Sequence, residues 1–381
     1  MTDRLRSVGL ALLLASPALA ATPEAPVTVY VGTYTDGTSR GIYRTSLDTA
    51  SGRASAPVLA AEAKNPSFLA LHPSGRFLYA VSEVDELAGA KTGAVSAFAI
   101  DPKTGDLTLL NQQPSEGGAP CHLIVDHGGR NLLVANYGGG TVALLRIGAD
   151  GKLQPAASVR HHEGQGPTAA RQQKPHAHGI YLDAAERFAF APDLGADRVF
   201  VYRFDAEKGT LTPQGAAPVE PGSGPRHLAF HPKGRHAYVI SELSNTITVF
   251  GYDPAKGELS LLETVKTLPE GFAGTSYTAE IEVSPDGRFL YGSNRGHDSL
   301  VVFRIDAASG RLALVGHVPV GGAWPRHFAI AAGGRLLLAA HQRSGTIAVF
   351  KLDETSGIPA PLGASVAVDR PACLLPLPPA R

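Results

Sequence analysis

Sulfur and indole are scarce in this sequence, with 2 cysteines, 1 methionine and 1 tryptophan among 381 residues. So few thiols exclude a disulfide-built scaffold, and Cys121 and Cys373 lie too far apart in the chain to signal a zinc site. Charge of one sign is lacking too: 34 Lys+Arg balance 34 Asp+Glu. There is therefore no basic excess for nucleic acid and no acidic tail. No segment holds a 3.6-residue apolar period, so long amphipathic helices are not expected. Catalytic signatures are missing as well. The sequence contains no GxSxG elbow, no phosphate-binding P-loop and no HExxH. The glycines of Tyr137-Gly138-Gly139-Gly140 lead from one strand into another rather than into a helix, so they read as a loop and not as a dinucleotide fingerprint.

No stretch is apolar for long enough to span a bilayer. The nearest is Val8 to Ala15, preceded by Arg4 and Arg6 and followed by Pro17 and the small-x-small run Ala18-Leu19-Ala20. That order reads as a secretory signal peptide over residues 1–20, cleaved after Ala20. A periplasmic or secreted protein is expected, with residues 21–381 forming one domain and no membrane contact after cleavage. Nothing indicates an oligomer.

Glycine (43) and proline (29) are abundant without a collagen period, which means many turns. Between them runs a repeat. Six segments open with a short apolar strand, make a turn ending in arginine, and enter a second apolar strand. Examples are PSFLALHPSGRFLYAVSE from Pro66, PRHLAFHPKGRHAYVISE from Pro225 and TAEIEVSPDGRFLYGSNR from Thr278. The turn arginines are Arg76, Arg130, Arg187, Arg235, Arg288 and Arg335, spaced by 47 to 57 residues. Each is followed by two more strands across a glycine turn, as in ITVFGYDPAKGELSLL. This is the length and grammar of a four-stranded propeller blade. Residues 27–62 supply a second, third and fourth strand without a first, and residues 371–377 supply a first strand with nothing after it. Joined, they make a seventh blade. The expected fold is all-β, a seven-bladed propeller of four-stranded antiparallel blades, with its ring closed by strands from both termini so that no edge stays open. Cys121 and Cys373 then fall near the starts of inner strands in blades that are not neighbours, as two small buried residues rather than a bridge.

The first strand of each blade lines the central channel. Aligned on the turn arginine, the residues nine before it are Ser67, Cys121, His178, Arg226, Ala279 and Arg326. Those eight before it are Phe68, His122, Gly179, His227, Glu280 and His327. Those seven after it are Glu83, Tyr137, Leu194, Glu242, Arg295 and Gln342, with Tyr34 at that place in the first blade. Charged groups at such positions must be paired or face a solvated cavity. They predict a cationic cleft at the channel mouth. His72 and His231, in HP turns, read instead as structural caps.

Arginine binds carboxylate or phosphate and can stabilise charge developing on a carbonyl oxygen. His178 or Glu242 can serve as general base on water. The set suits hydrolysis of a cyclic ester, and equally proton transfer beside a lactone carbonyl. The pair His176 and His178 invites a metal, but no third ligand is signalled at a defined spacing, so no metal and no cofactor is expected.

KPHAHG (174–179), GPRHLAFHP (224–232), YVISELSNT (238–246), LYGSNRGHDS (290–299), the opening YVGTYT and the NPSFLALHPSGRFLYAV run (65–81) resemble the propeller lactonase family. That family includes 6-phosphogluconolactonases and is similar to a fungal enzyme that cyclises 3-carboxy-cis,cis-muconate. The resemblance covers about residues 27–377 and implies a metal-free active site of His178, Arg226, Glu242 and Arg295. His227, Glu280, Arg326, His327 and His122 are expected to bind the substrate, a small-molecule lactone or sugar acid. The export signal departs from a family that handles a phosphorylated cytosolic metabolite, and points to an unphosphorylated aldonolactone or another lactone. A muconate-type cyclase and a non-catalytic ligand-binding propeller remain the alternatives.

Overall fold

The structure is a computed structural model that describes residues 26–378; the signal peptide expected over residues 1–20 lies outside them. Its strands form seven antiparallel sheets in chain order around a ring. Blade 1 is the closing blade. Its inner strand, Pro371–Pro376, pairs with Val27–Thr33 through Tyr30↔Leu375 and Val31↔Leu374, and Gly41–Leu47 and Val58–Glu62 follow outward. The inner strands of blades 2 to 7 are Leu69–Leu71, Pro120–Val125, Tyr181–Leu182, Pro225–Phe230, Tyr277–Val283 and Pro325–Ala331. The expected seven blades, their four strands and the two-terminus closure are all present.

Stacking the blades face to face explains the sequence pattern. Second strands such as Phe77–Ser82 and Asn131–Asn136 are buried at every position, so they read as continuous apolar runs instead of alternating ones. Alternation decides which neighbour each side chain meets. Tyr79 and Val81 pack against blade 3, while Leu78 and Ala80 pack against blade 1. The core is thus divided into seven clusters, one at each blade interface, and the cluster of Val29, Val31, Leu338 and Leu374 seals blade 7 to blade 1.

Polar contacts repeat at the same interfaces. The Tyr30, Tyr79, Tyr238 and Tyr291 hydroxyls donate to Gly105, Gly151, Gly310 and Gly357 carbonyls in the next blade's outer hairpin, at 2.6, 3.0, 3.0 and 2.8 Å. Those glycines have φ between 71° and 80°, a left-handed turn conformation open to glycine at no steric cost. His72 and His231 serve as caps. Each accepts a backbone N–H from its own turn at Nδ1 and reaches the next blade's turn carbonyl, Gly129 or Gly287, from Nε2. Cys121 and Cys373 are free and buried.

Three local features differ from simple expectation. The inner strand of blade 4 is reduced to Tyr181–Leu182, preceded by an isolated Ala177↔Asp193 bridge. The outer strand of blade 7 is split into Pro359–Pro361 and Val366–Ala367, both paired with Thr346–Leu352. Most importantly, the inner strands carry bulges at the mouth. Register slips by one residue at Cys121, at Arg226 and at Arg326, and between Thr278 and Ile281. A bulge re-aims side chains. Here it lets two consecutive residues per strand serve the channel, where a regular pleat would present only one.

Candidate active site

Glu242 stands one residue past the end of its strand, His236–Ser241, and is held there by its own N–H on the Gly224 carbonyl at 2.7 Å. Its carboxylate is the centre of the site. Arg295 Nη2 lies 2.7 Å from Oε2, and Arg226 Nε lies 3.2 Å from the same oxygen. The Arg226 contact is an ion pair without hydrogen-bond alignment. Arg171 Nη2 takes Oε1 at 2.7 Å and also donates to the Tyr137 hydroxyl at 3.1 Å. Burial pushes the Glu242 carboxyl up, but Arg295, Arg226 and Arg171 outweigh it and hold the group at about 2. The cations repel one another in turn. Burial lowers Arg295 to about 10 against the pull of Glu242, with Arg226 and Arg326 adding to the fall, and it stays protonated at neutral pH. Further N–H groups of Arg226 and Arg295 are committed to the carbonyls of Ala279 and Thr278, at 2.7 and 2.8 Å.

His178 sits beside this cluster with Nε2 3.9 Å from Glu242 Oε2, beyond hydrogen-bonding distance. Burial, followed by the charges of Arg226, His227 and Arg326, keeps its pKa well below the usual histidine value. The imidazole is therefore neutral, with a nitrogen available to accept a proton.

One residue deeper in the channel is a second layer. His227 Nδ1 lies 2.9 Å from Glu280 Oε1, and its Nε2 receives Arg226 Nη1 at 3.2 Å. His327 Nε2 lies 3.3 Å from Glu280 Oε2, and the His122 ring packs 5.3 Å from His227 and 4.3 Å from Phe68. Burial lowers the pKa of His122 and His227, and burial with His227 and Arg226 overcomes Glu280 to hold His327 at about 4. Below them, burial and then the Glu280 charge raise Glu282 to about 8.

The ring thus brings His178, Glu242, Arg226 and Arg295 into one cluster. His227, Glu280, His327 and His122 form a connected floor, joined to that cluster through Arg226. Arg326 stands apart from Glu242 and donates to the Tyr34 hydroxyl at 2.6 Å. Among the described residues no group of three His, Cys, Asp or Glu is placed to hold a metal; His176 stacks on Tyr137 at 4.4 Å instead of joining His178.

Sequence reasoning missed Arg171. It lies in the segment between blades 3 and 4, outside the repeat alignment, and the length of that mouth-face loop beside HAHG was its only signal. The loop is pinned from both sides. Buried Gln172 donates to Leu194 O and Asp197 Oδ1, at 2.8 and 2.7 Å. Asp193 accepts the N–H groups of His176, Gly195 and Ala196 and pairs with His162 at 2.6 Å. Trp324, with a left-handed φ of 67°, was also missed; its ring lies 5.5 Å from the Arg295 guanidinium.

The chain is similar in sequence to the 6-phosphogluconolactonase of Bacillus subtilis (strain 168), 39% identical over 345 residues that cover 91% of this chain and 97% of that one. Its structure resembles that of the periplasmic gluconolactonase of Pseudomonas aeruginosa, with a TM-score of 0.88, 38% identity, and 93% and 100% of the two chains covered. A putative 6-phosphogluconolactonase from Bacteroides fragilis aligns with a TM-score of 0.86 at 35% identity, over 94% and 100% of the chains. The model of the family described as lactonase, 7-bladed beta-propeller, matches residues 28–376. This chain belongs to that seven-bladed propeller lactonase family.

Proposed function

We propose that this protein hydrolyses a sugar lactone, an unphosphorylated aldonolactone, outside the cytoplasm. One observation carries the chemistry: a neutral, buried His178 with an unengaged Nε2 beside guanidinium groups assembled on one carboxylate. His178 is the general base that takes a proton from water. Glu242 is too strongly held as the anion to be that base; its part is to fix Arg226 and Arg295 against the substrate. The floor holds Arg226 from below: His227 accepts from Arg226 and pairs with Glu280, Glu280 meets His327, and the His122 ring packs on His227. Arginine supplies the cationic charge, and the proposed reaction calls on no metal. The names of the related enzymes, 6-phosphogluconolactonase and gluconolactonase, support the substrate class. The periplasmic relative and the leader-like residues 1–20 support export, with residues 21–381 as one unit.

A panel of phosphorylated and unphosphorylated aldonolactones, assayed at mildly acidic pH where spontaneous opening is slow, tests this. Hydrolysis of an unphosphorylated aldonolactone, undiminished by EDTA, is expected. No lactone opened faster than in buffer, or formation of a lactone from a muconate instead, overturns it. Intact mass of the exported protein should begin at Ala21; a retained Met1 overturns the export assignment.

A further inference from the structure

In a hydrolysis of this kind the carbonyl oxygen gains negative charge as water attacks, and some donor must meet it. Arg226 and Arg295 are poorly placed to be that donor. Both are spoken for by Glu242 and by backbone carbonyls, and both are buried. Arg171 is likewise bound to Glu242 and Tyr137.

Arg326 is held differently. The bulge in its strand, between Pro325↔His341 and His327↔Ala340, releases its side chain from the regular pleat. It is partly exposed. Among the described residues its guanidinium has no carboxylate within ion-pair distance, and its polar contact is the Tyr34 hydroxyl, with which it also stacks at 5.1 Å. That hydroxyl spends its own proton on Glu83 Oε2 at 2.8 Å, and Ser67 binds the same oxygen. Tyr34 therefore presents only lone pairs to Arg326. It orients the guanidinium without neutralising it, and burial raises the Tyr34 pKa so that it stays protonated. The Arg326 charge also acts on His178 and His227, helping burial and Arg226 to lower both.

Resting on the lactonase reading above, we propose that Arg326, oriented by Tyr34 and Glu83, is the oxyanion donor of this site. As the water oxygen bonds to the carbonyl carbon, its proton passes to His178 Nε2 and the carbonyl π pair moves onto the oxygen, which the free N–H groups of Arg326 bind. When the ring C–O bond breaks, His178 returns that proton to the departing oxygen, giving the hydroxy acid. Tyr34 comes from the closing blade, held by its N–H on Arg370 O at 3.1 Å, so ring closure also completes the oxyanion site.

The experiment is steady-state kinetics of Arg326→Gln, Arg326→Lys and Tyr34→Phe on whichever aldonolactone the wild type opens. Loss of one oxyanion donor costs about 10²–10³ in kcat. Arg326→Gln should lose that factor from kcat and kcat/KM alike, as for a contact made only in the transition state, and the acid limb of its pH profile should move upward, because one of the charges that depress His178 is gone. Arg326→Lys should recover part of the loss, and Tyr34→Phe should lose about tenfold through misorientation of the donor. An Arg326→Gln enzyme with wild-type kcat, or with a raised KM alone, overturns the assignment. Should that variant fail to fold, wild-type kcat in both Arg326→Lys and Tyr34→Phe overturns it equally. If the wild type opens no lactone, it is the hydrolase reading that fails, which separates the two results.

Discussion

Replacing Glu242 by glutamine keeps the size of the side chain and removes the charge that Arg295, Arg226 and Arg171 share. The fall of its carboxyl from 4.5 to about 2 corresponds to about 3 kcal/mol of stabilisation. The folded value lies below the unfolded one. This stability is therefore present in full above the unfolded value and is lost as pH falls toward about 2. In Glu242→Gln it is absent at every pH, and two buried guanidinium charges lose their counter-ion, so the loss near neutral pH should be about 3–5 kcal/mol. Urea unfolding, followed by the fluorescence of Trp324, the single tryptophan of the chain, measures it directly. Near pH 3 the wild type has given up about 2 kcal/mol of its advantage, so the gap between the two proteins should narrow by that amount. Coincident unfolding midpoints at neutral pH would refute the reasoning. So would a gap as wide near pH 3 as at neutral pH.

His178→Gln should lower kcat by about 10²–10⁴ while leaving the melting temperature close to that of the wild type. Because the His178 pKa is depressed, wild-type turnover should be flat around neutral pH and fall only well below pH 6.5, where the imidazole takes up its proton; a decline already centred near 6.5 would contradict the depressed value. Ending the chain at Asp369 removes the inner strand of blade 1 with buried Cys373 and Leu374, opens an edge on Val27–Thr33, and should yield aggregated or unfolded protein by circular dichroism and size exclusion. A truncated chain as stable as the full one would mean that the two termini do not close the ring. Tyr238→Phe deletes one interblade hydrogen bond to Gly310 and should cost about 1 kcal/mol in denaturant unfolding, without change in turnover.

Much of this protein is written locally. The turn arginines, the glycine hairpins and the paired incomplete segments at the two ends determine seven blades and their closure, because each blade must bury both faces of its sheet and only neighbours of the same shape can cover them. The ring positions were legible for the same reason: a repeat that stacks with cyclic symmetry sends equivalent residues to the same height on one axis. Tertiary structure decided what that alignment cannot contain. The bulges at Arg226 and Arg326 turn two successive residues into the channel, against the alternation of a regular strand. Arg171 arrives from a loop outside the repeat and takes the second oxygen of Glu242. The proposed choice of His178 over Glu242 as base also rests on tertiary structure. Proton affinity follows from how many cations surround each group at a few ångströms, and three guanidinium groups from different parts of the chain meet on one carboxylate only after the ring has closed.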